Sequence, residues 1–234
     1  MAPYGLIKIM FAYFRVLDKS RYLYRASRYL QIGALFAILL SPPSALAAEK
    51  TASLLVIGDS LAAGYGLPAS DAFTTRLEAA LTSLGHRVRV INAGVSGDTS
   101  AGGRARLNWV LSPATRAGIV ELGANDMLRG ISPKLTRQNL EAILIELQTR
   151  NLPVLLAGMM AAPNLGEAYS RQFNPIYREL AKKYNAVYYP FFLEGVAANR
   201  ALNISDGIHP NRDGIAVIVK NISPAVEKLL AQIK

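Results

Sequence analysis

Ser60 stands directly after an apolar run, in the stretch LLVIGDS that covers residues 54–60. The run has the length of a buried strand, so the serine lies where such a strand ends. A serine becomes a nucleophile only when a base takes its proton, and the usual base is histidine. Ser60 is therefore a candidate nucleophile, although a serine that caps the helix after the strand would fit the same pattern.

The chain has only two histidines that could serve as this base. His209 follows Asp206 by three residues in SDGIHPNRDG, a spacing at which a turn lets the carboxylate reach the imidazole and hold one tautomer. A loop with an Asx turn and a buried histidine explains the same pair. His86 has no carboxylate close to it in sequence, and we interpret it as an exposed surface residue.

Two further apolar runs end in residues that can donate hydrogen bonds to the oxyanion of an acyl transfer. Gly97, in NAGVSGDTS, has no side chain to keep its backbone N–H away from a substrate. Asn125, in ELGANDMLRG, offers an uncharged amide. Taken separately, each is also an ordinary glycine turn or Asn/Asp loop.

Two other motifs fail on their residues, and no metal site is predicted. The stretch GVSGD resembles the G-x-S-x-G nucleophile elbow but ends in Asp98, so Ser96 is not the predicted nucleophile. The stretch GYGLPA fits a dinucleotide-binding pattern, but Pro68 interrupts it and the second apolar run ends in Asn92, not in an acidic residue. Two histidines without a cluster of carboxylates or cysteines give no metal-ligand pattern.

Five apolar runs of strand length alternate with helical patterns, which predicts a parallel sheet between two layers of helices. The runs cover residues 53–58, 88–92, 118–123, 153–159 and 186–190. The second run alternates basic and apolar residues, which is typical of an edge strand with one wet face. An open sheet of this kind has its ligand crevice beyond the carboxyl ends of the strands, which is where Ser60 lies.

Helix signals separate these runs. Ser70 is predicted to cap the first helix, and Ser132 followed by Pro133 to begin another. The last helix covers much of 212–233, where Pro224 predicts a kink or a break. The positions predicted to face the core are Phe73, Leu77, Leu81 and Leu84 in the first helix and Leu140, Ile143, Leu144 and Leu147 in the other.

The first fifty residues have the composition of a secretory signal. Six basic residues precede the apolar run at 32–40, and the small-residue site ALA follows it. We predict cleavage after Ala47, which leaves 48–234 as a single domain in the periplasm or outside the cell. The apolar run is shorter than the roughly 20 residues of a membrane-spanning helix, so a permanent anchor is the less favoured alternative.

Half of the net charge of +10 belongs to that leader, because the chain without residues 1–47 has 20 Lys and Arg against 15 Asp and Glu. The remaining basic residues are scattered, so no nucleic-acid partner is predicted. A weak, transient attraction to anionic membrane lipid stays open. The absence of cysteine excludes disulfides and a thiolate nucleophile.

Four short blocks of this sequence together resemble the SGNH (GDSL) hydrolases. One such block is weak, but four in order across residues 58–209 are specific. The sequence around them is most similar to the bacterial periplasmic arylesterase subgroup, which includes a multifunctional acyl-CoA thioesterase and lysophospholipase. The blocks are Gly58-Asp59-Ser60-Leu61, Ser96-Gly97-Asp98-Thr99, Gly123-Ala124-Asn125-Asp126 and Asp206-Gly207-Ile208-His209.

This resemblance implies a flavodoxin-like three-layer α/β/α sandwich with a five-stranded parallel sheet and no metal or organic cofactor. By position, it makes Ser60 the nucleophile, His209 the general base and then acid, and Asp206 the orienting carboxylate. The backbone N–H groups of Ser60 and Gly97 and the Asn125 side chain would form the oxyanion hole.

The implied function is hydrolysis of ester or thioester bonds in small acyl substrates, as in an arylesterase, lysophospholipase or thioesterase, through an acyl-enzyme. The alternatives are a carbohydrate O-acetyl esterase and, in another class, a non-catalytic binding protein on the same fold. The oligomeric state is not predicted.

Acyl-chain preference must come from loops around the carbonyl site, and the loop at 124–131 is a candidate to move on binding. Methionines suit a pliable apolar groove, although filling the core is an alternative role for them. The predicted substrate-binding residues are Met127, Leu128 and Ile131 after Asn125, and Met159, Met160, Pro163 and Leu165 after the fourth strand.

Overall fold

The computed structural model describes residues 51–233, and the predicted signal segment at 1–47 lies outside them. Five parallel strands form one sheet in the order β2-β1-β3-β4-β5, which confirms the parallel sheet and the edge position of the second strand. The strands are β1 Ala52–Gly58, β2 Val88–Gly94, β3 Thr115–Glu121, β4 Val154–Ala157 and β5 Val187–Tyr189.

The carboxyl ends of the strands are aligned at one edge of the sheet. Gly58 pairs with Gly94 on one side and with Glu121 on the other. Glu121 pairs in turn with Ala157, and Ala157 with Tyr189. Because all five strands end in register, the loops that follow them emerge side by side, which brings distant parts of the chain to one place.

Helices cover both faces of the sheet. They are α1 Ser60–Ala63, α2 Phe73–Ser83, α3 Ser100–Val110, α4 Ala124–Leu128, α5 Pro133–Thr149, α6 Glu167–Phe173, α7 Pro175–Lys183 and α8 Arg212–Leu230. Helix α2 packs against α8, whereas α3 and α7 pack against α5. The connection from β1 to β2 crosses the sheet in the opposite direction to the later ones. Right-handed crossovers therefore place α2 on one face and α3, α5 and α7 on the other.

The strand that carries Ser60 at its end is buried on both faces. Leu54, Leu55, Val56 and Ile57 are each at most 1% exposed. Full burial of one such side chain contributes about 1.5–3 kcal/mol to the stability of the fold, so β1 positions the residues after it rigidly. The predicted apolar stripe of α5 is confirmed, because all four of its leucine and isoleucine positions are buried.

The first and last helices differ from their predictions. Ser70 does not cap α2, because it lies in a separate 3-10 turn, Ala69–Asp71, and the extended backbone of Ala72 then starts the helix. Leu84 follows the last residue of α2, so it leaves the apolar stripe and is 56% exposed. Pro224 neither ends nor interrupts α8, which continues to Leu230.

His86 is not the freely exposed residue that its sequence context indicated. Its side chain is only 33% exposed, and Nε2 lies 3.2 Å from Oε1 of Glu227. The carboxylate comes from α8, 141 residues away along the chain, and is brought there by the packing of α2 on that helix. This pair lies apart from the carboxyl ends of the strands, and we assign it no chemistry.

Candidate active site

Ser60 is the first residue of the short helix α1, immediately after β1. Asp59 caps this helix, because its Oδ1 accepts a hydrogen bond from the Leu61 N–H at 3.0 Å. The backbone N–H of Ser60 lies in the first turn and has no carbonyl one turn behind it, so it is free to bind a substrate. The Ser60 Oγ lies 2.9 Å from Nε2 of His209.

His209 is held on the other side by Asp206. Its Nδ1 lies 2.6 Å from Oδ2 of Asp206. The other oxygen, Oδ1, accepts the backbone N–H groups of His209 at 3.0 Å and Ile208 at 2.8 Å. These two backbone hydrogen bonds, followed by the one from the imidazole, lower the pKa of Asp206 to about 2.

The charge on Asp206 fixes the tautomer of His209. At neutral pH the carboxylate is ionised and can only accept, so the proton lies on Nδ1 and Nε2 faces the Ser60 hydroxyl as an acceptor. Ser60, His209 and Asp206 therefore form a continuous chain of hydrogen bonds in which the imidazole can take the serine proton. Tyr65, which the sequence did not single out, packs its ring 4.5 Å from the His209 ring.

Gly97 lies in a tight turn directly after β2, and the first residue of this turn, Val95, donates its N–H to the Gly58 carbonyl at 3.1 Å. The Asp98 N–H bonds the Val95 carbonyl at 3.0 Å, and Gly97 has a φ of +88° at the third position of this turn. That conformation favours glycine. Among the residues at 51–233, none accepts a hydrogen bond from the Gly97 N–H.

Asn125 lies in the first turn of α4, and its side-chain amide already has partners. Nδ2 donates to Oδ2 of Asp59 at 3.1 Å and to the carbonyl oxygen of Asp98 at 3.0 Å. An amide nitrogen carries two protons, so both are in use. The structure thus places the Asn125 amide between the Ser60 loop and the Gly97 loop.

Two buried acids lie behind Ser60, and sequence reasoning missed both. Asp59 and Glu121 are each 0% exposed, and the Asp59 N–H donates to Oε2 of Glu121 at 3.2 Å. Burial raises the pKa of Asp59 to about 6 and raises the pKa of Glu121 well above its usual range. The one available signal was a charged residue at the end of the apolar run GIVELG.

Glu121 also explains the glycine before Asp59. A Cβ on Gly58 would lie 2.5 Å from Oε2 of Glu121 and 2.6 Å from the Ala62 side chain. Glycine is therefore the only residue that lets the Ser60 turn and the buried carboxyl group pack this closely. Oε1 of Glu121 has no hydrogen-bond partner within the part of the chain that the structure describes.

The predicted substrate-binding residues differ in their exposure and fall into buried, exposed and half-buried groups. Met159 is 3% exposed and packs in the hydrophobic core, so burial corrects its assignment as a groove residue. Leu128 and Met160 are 55% and 51% exposed. Of the others, Pro163 is exposed, and Met127, Ile131 and Leu165 are half-buried.

Contacts join the two loops that carry these residues. The Met127 Sδ accepts the Ala162 N–H at 3.0 Å, and the Tyr169 hydroxyl donates to the Ile131 carbonyl at 2.9 Å. These two hydrogen bonds therefore connect the segment after β3 with the segment after β4.

Neither a metal centre nor a membrane span is evident in the described region. Between residues 51 and 233 there is no group of three or more His, Cys, Asp or Glu side chains that could hold a metal ion. In the same range, no helix has the length and apolar character needed to cross a membrane.

A family model described as GDSL-like lipase/acylhydrolase matches residues 56–217. Esterase TesA of Pseudomonas aeruginosa is 38% identical over 199 residues, which cover 85% of this chain and 96% of that protein. Thioesterase 1/protease 1/lysophospholipase L1 of Escherichia coli is 39% identical over 197 residues, covering 84% and 91%. The crystal structure of AlinE4, an SGNH-hydrolase family esterase, is similar with a TM-score of 0.66 and 50% identity, covering 77% of this chain and 97% of that one.

Proposed function

Because the chain belongs to the GDSL-like lipase/acylhydrolase family, it is a serine hydrolase of carboxylic ester or thioester bonds, and we propose that Ser60 is its nucleophile. The observation that carries this assignment is the pair of contacts on His209, 2.9 Å to Ser60 Oγ and 2.6 Å to Asp206 Oδ2. A nucleophile, a base and a group that orients the base are thereby within hydrogen-bond distance.

The reaction proceeds in two steps. Ser60 Oγ attacks the acyl carbonyl while its proton moves to Nε2 of His209, and Asp206 stabilises the imidazolium. The proton then passes to the departing alcohol or thiol, which leaves an ester between the acyl group and Ser60. A water molecule, deprotonated by His209, attacks this ester, and the proton returns to Ser60 as the carboxylic acid leaves.

The oxyanion of each tetrahedral intermediate is bound by three donors: the N–H groups of Ser60 and Gly97 and the Asn125 amide. The two backbone donors are free of partners at 51–233, which supports their role. Asn125 has two protons and two acceptors, so it must share or release one bond when the oxyanion forms. One such donor is typically worth about 3 kcal/mol of barrier.

The surface around the site favours an acyl or aryl substrate over a sugar acetate. Large apolar side chains on the segments that follow β1 to β4, and on the His209 loop, are 45–55% exposed, and exposed apolar side chains suit an acyl chain. These residues are Tyr65, Val95, Leu128, Met160 and Ile208.

The chain length of the acyl group is tested with a series of p-nitrophenyl esters from acetate to dodecanoate. We expect kcat/KM to rise beyond acetate and Ser60→Ala to abolish turnover at every length. A rate that peaks at acetate and collapses by octanoate would favour the carbohydrate O-acetyl esterase alternative.

We further propose that the protein is exported and that residues 1–47 are removed as a signal peptide. The basic, apolar and small-residue order at the N-terminus supports this. Mass spectrometry of exported protein labelled with an organophosphate probe reports both features, with a mature N-terminus near residue 48 and a single adduct on Ser60. An adduct on another residue would refute the assignment of Ser60 as the nucleophile.

A further inference from the structure

Arg106, on α3, makes three hydrogen bonds to three separate segments near the site. Its Nε donates to Oδ2 of Asp98 at 2.5 Å, one terminal nitrogen to the Ala93 carbonyl at 2.6 Å, and the other to the Gly58 carbonyl at 2.9 Å. The side chains of Arg106 and Asp98 are only 19% and 17% exposed. Hydrogen bonds of an ionised donor that is largely shielded from water are among the strongest in a protein.

Two of the three acceptors lie within two residues of a proposed oxyanion donor. Gly58 is two residues before Ser60, and Asp98 directly follows Gly97. The carbonyl oxygen of the same Asp98 accepts the Asn125 amide. One guanidinium therefore connects the end of β1, the end of β2 and the Gly97 turn, and it reaches Asn125 through Asp98.

Asp98 has little freedom to move away from this contact. A Cβ on Gly102 would lie 2.6 Å from Oδ1 of Asp98, so the carboxylate is confined between the backbone of α3 and the guanidinium. The Val95 N–H also donates to the Gly58 carbonyl, at 3.1 Å, which adds a direct backbone link between the two loops.

We propose that Arg106 is a positioning residue that sets the relative placement of the Ser60, Gly97 and Asn125 donors. This inference rests on the proposed function, since it concerns the same oxyanion hole. The three acceptors contact three different nitrogens of the guanidinium, and the single nitrogen of a lysine side chain cannot reproduce all three contacts. A displacement of about 1 Å between the reacting groups and the donors costs on the order of 10²-fold in rate.

The test compares Arg106→Met and Arg106→Lys with Arg104→Met, a matched loss of one arginine on the same helix. Arg104 is exposed, and within residues 51–233 its side chain bonds only the Asn139 side chain, at 3.3 Å. For Arg106→Met we expect kcat on p-nitrophenyl butyrate to fall about 10²-fold while KM changes less than about 3-fold. Arg106→Lys should recover only part of kcat, and Arg104→Met should match the wild type.

A second readout separates positioning from loss of structure. Affinity for an alkyl boronic acid, which forms a tetrahedral adduct with the serine, should fall in Arg106→Met by about the same factor as kcat, in protein that circular dichroism shows to be folded at the assay temperature. Unchanged kcat or unchanged boronate affinity in folded Arg106→Met would overturn the proposal.

If Arg106→Met does not fold, Asp98→Asn decides the matter. This variant keeps an acceptor oxygen and both carbonyl contacts of Arg106 but loses the charge, and we expect kcat to fall about 10-fold with little change in KM. Wild-type kcat in Asp98→Asn would then refute the role of Arg106. Failure of the proposed function looks different, because it requires that Ser60→Ala retain activity.

Discussion

The site has a buried half and an exposed half, and the pKa values of the carboxyl groups in the two halves are shifted in opposite directions. Behind Ser60, Asp59 and Glu121 are fully buried, and burial raises the pKa of both carboxyl groups. In front of Ser60, the Asp206 side chain is 34% exposed, and hydrogen bonds from the His209 loop lower the pKa of this carboxyl group. The same functional group is thus held towards its neutral form in one half and towards its charged form in the other.

The two halves are also positioned by different means. The buried half is fixed by the end of β1 and by contact with β3, both of which are part of the core. The exposed half is a loop closed on itself: Ile204 N–H bonds the His209 carbonyl at 2.8 Å, and Asn203 forms a bridge with Pro210. A change in the exposed half should therefore impair activity with little loss of stability, whereas the buried half should couple stability to pH.

The largest effect is expected for His209→Ala. Loss of the proposed base should lower kcat/KM about 10⁴-fold, equivalent to about 5.5 kcal/mol of barrier. The free energy of unfolding should change by less than about 1 kcal/mol, because the ring packs on the exposed Tyr65 and not in the core. Ester hydrolysis and urea unfolding measure the two quantities.

The matched control is His86→Ala, which removes the second histidine of the chain and its contact with Glu227. This variant should keep the wild-type kcat/KM. The division into two halves would fail if His209→Ala retained more than about 1% of the activity. It would also fail if this variant lost more free energy of unfolding than it gained in activation free energy.

The sequence predicted the site residues that lie in short motifs, and it missed those whose contacts come from distant parts of the chain. Ser60, Asp206 and His209 lie in short motifs, and the strand ends that position them follow from the apolar runs. Glu121 was hidden, because one charge at the end of an apolar run does not reveal that the side chain turns towards Gly58. Arg106 was hidden as well, since its three acceptors lie 8 to 48 residues away and only the fold assembles them.

The fold predictions show the same limit. The sheet and the α5 stripe follow from periodicity. The prediction for Ser70 depended on where α2 begins, which is after the extended residue Ala72, and the prediction for Leu84 depended on where α2 ends. Met159 was assigned to a groove because it follows β4, but its side chain packs in the core. Beyond the end of a strand, periodicity does not predict whether a side chain faces the core or the solvent.

The buried half should make the free energy of unfolding depend on pH. Asp59 has a pKa of about 6 in the folded protein against an ordinary 3.8. Between these values the folded protein keeps a proton that the unfolded chain has released, so stability falls as pH rises from about 4 to about 6. The loss amounts to about 3 kcal/mol for this group. The pKa of Glu121 is also raised, so this group acts in the same direction. The pKa of Asp206 is lowered to about 2, so its contribution to the stability of the protein is lost only as pH falls below about 4.

Urea unfolding of the wild type and Asp59→Asn between pH 4 and pH 8 isolates this contribution. The stability advantage of the wild type should shrink by about 3 kcal/mol from pH 4 to pH 7. Asp206→Asn serves as the control from the exposed half and should keep the wild-type slope over this range. A constant difference between the wild type and Asp59→Asn would show that burial does not hold a proton on this carboxyl group.

The smallest effect is expected at Asn211, which anchors the exposed half to the core. Its Oδ1 caps α8 by accepting the Asp213 and Gly214 N–H groups, both at 3.0 Å, and its Nδ2 donates to the Ala201 carbonyl at 2.8 Å. Asn211→Ala should lower the free energy of unfolding by about 1–2 kcal/mol and reduce kcat a few-fold, since His209 lies two residues before the cap.

Asn211→Asp separates the helix cap from the loop contacts, because aspartate keeps the cap acceptor and loses the donor to the Ala201 and Asn203 carbonyl groups. We expect this variant to keep most of the stability in urea unfolding and yet to show the same few-fold loss of kcat as Asn211→Ala. That pattern would mean that the loop tie orients His209 while the cap serves only the helix. Equal losses of stability in the two variants, with kcat unchanged, would instead mean that the imidazole is oriented entirely by Asp206 and the loop itself.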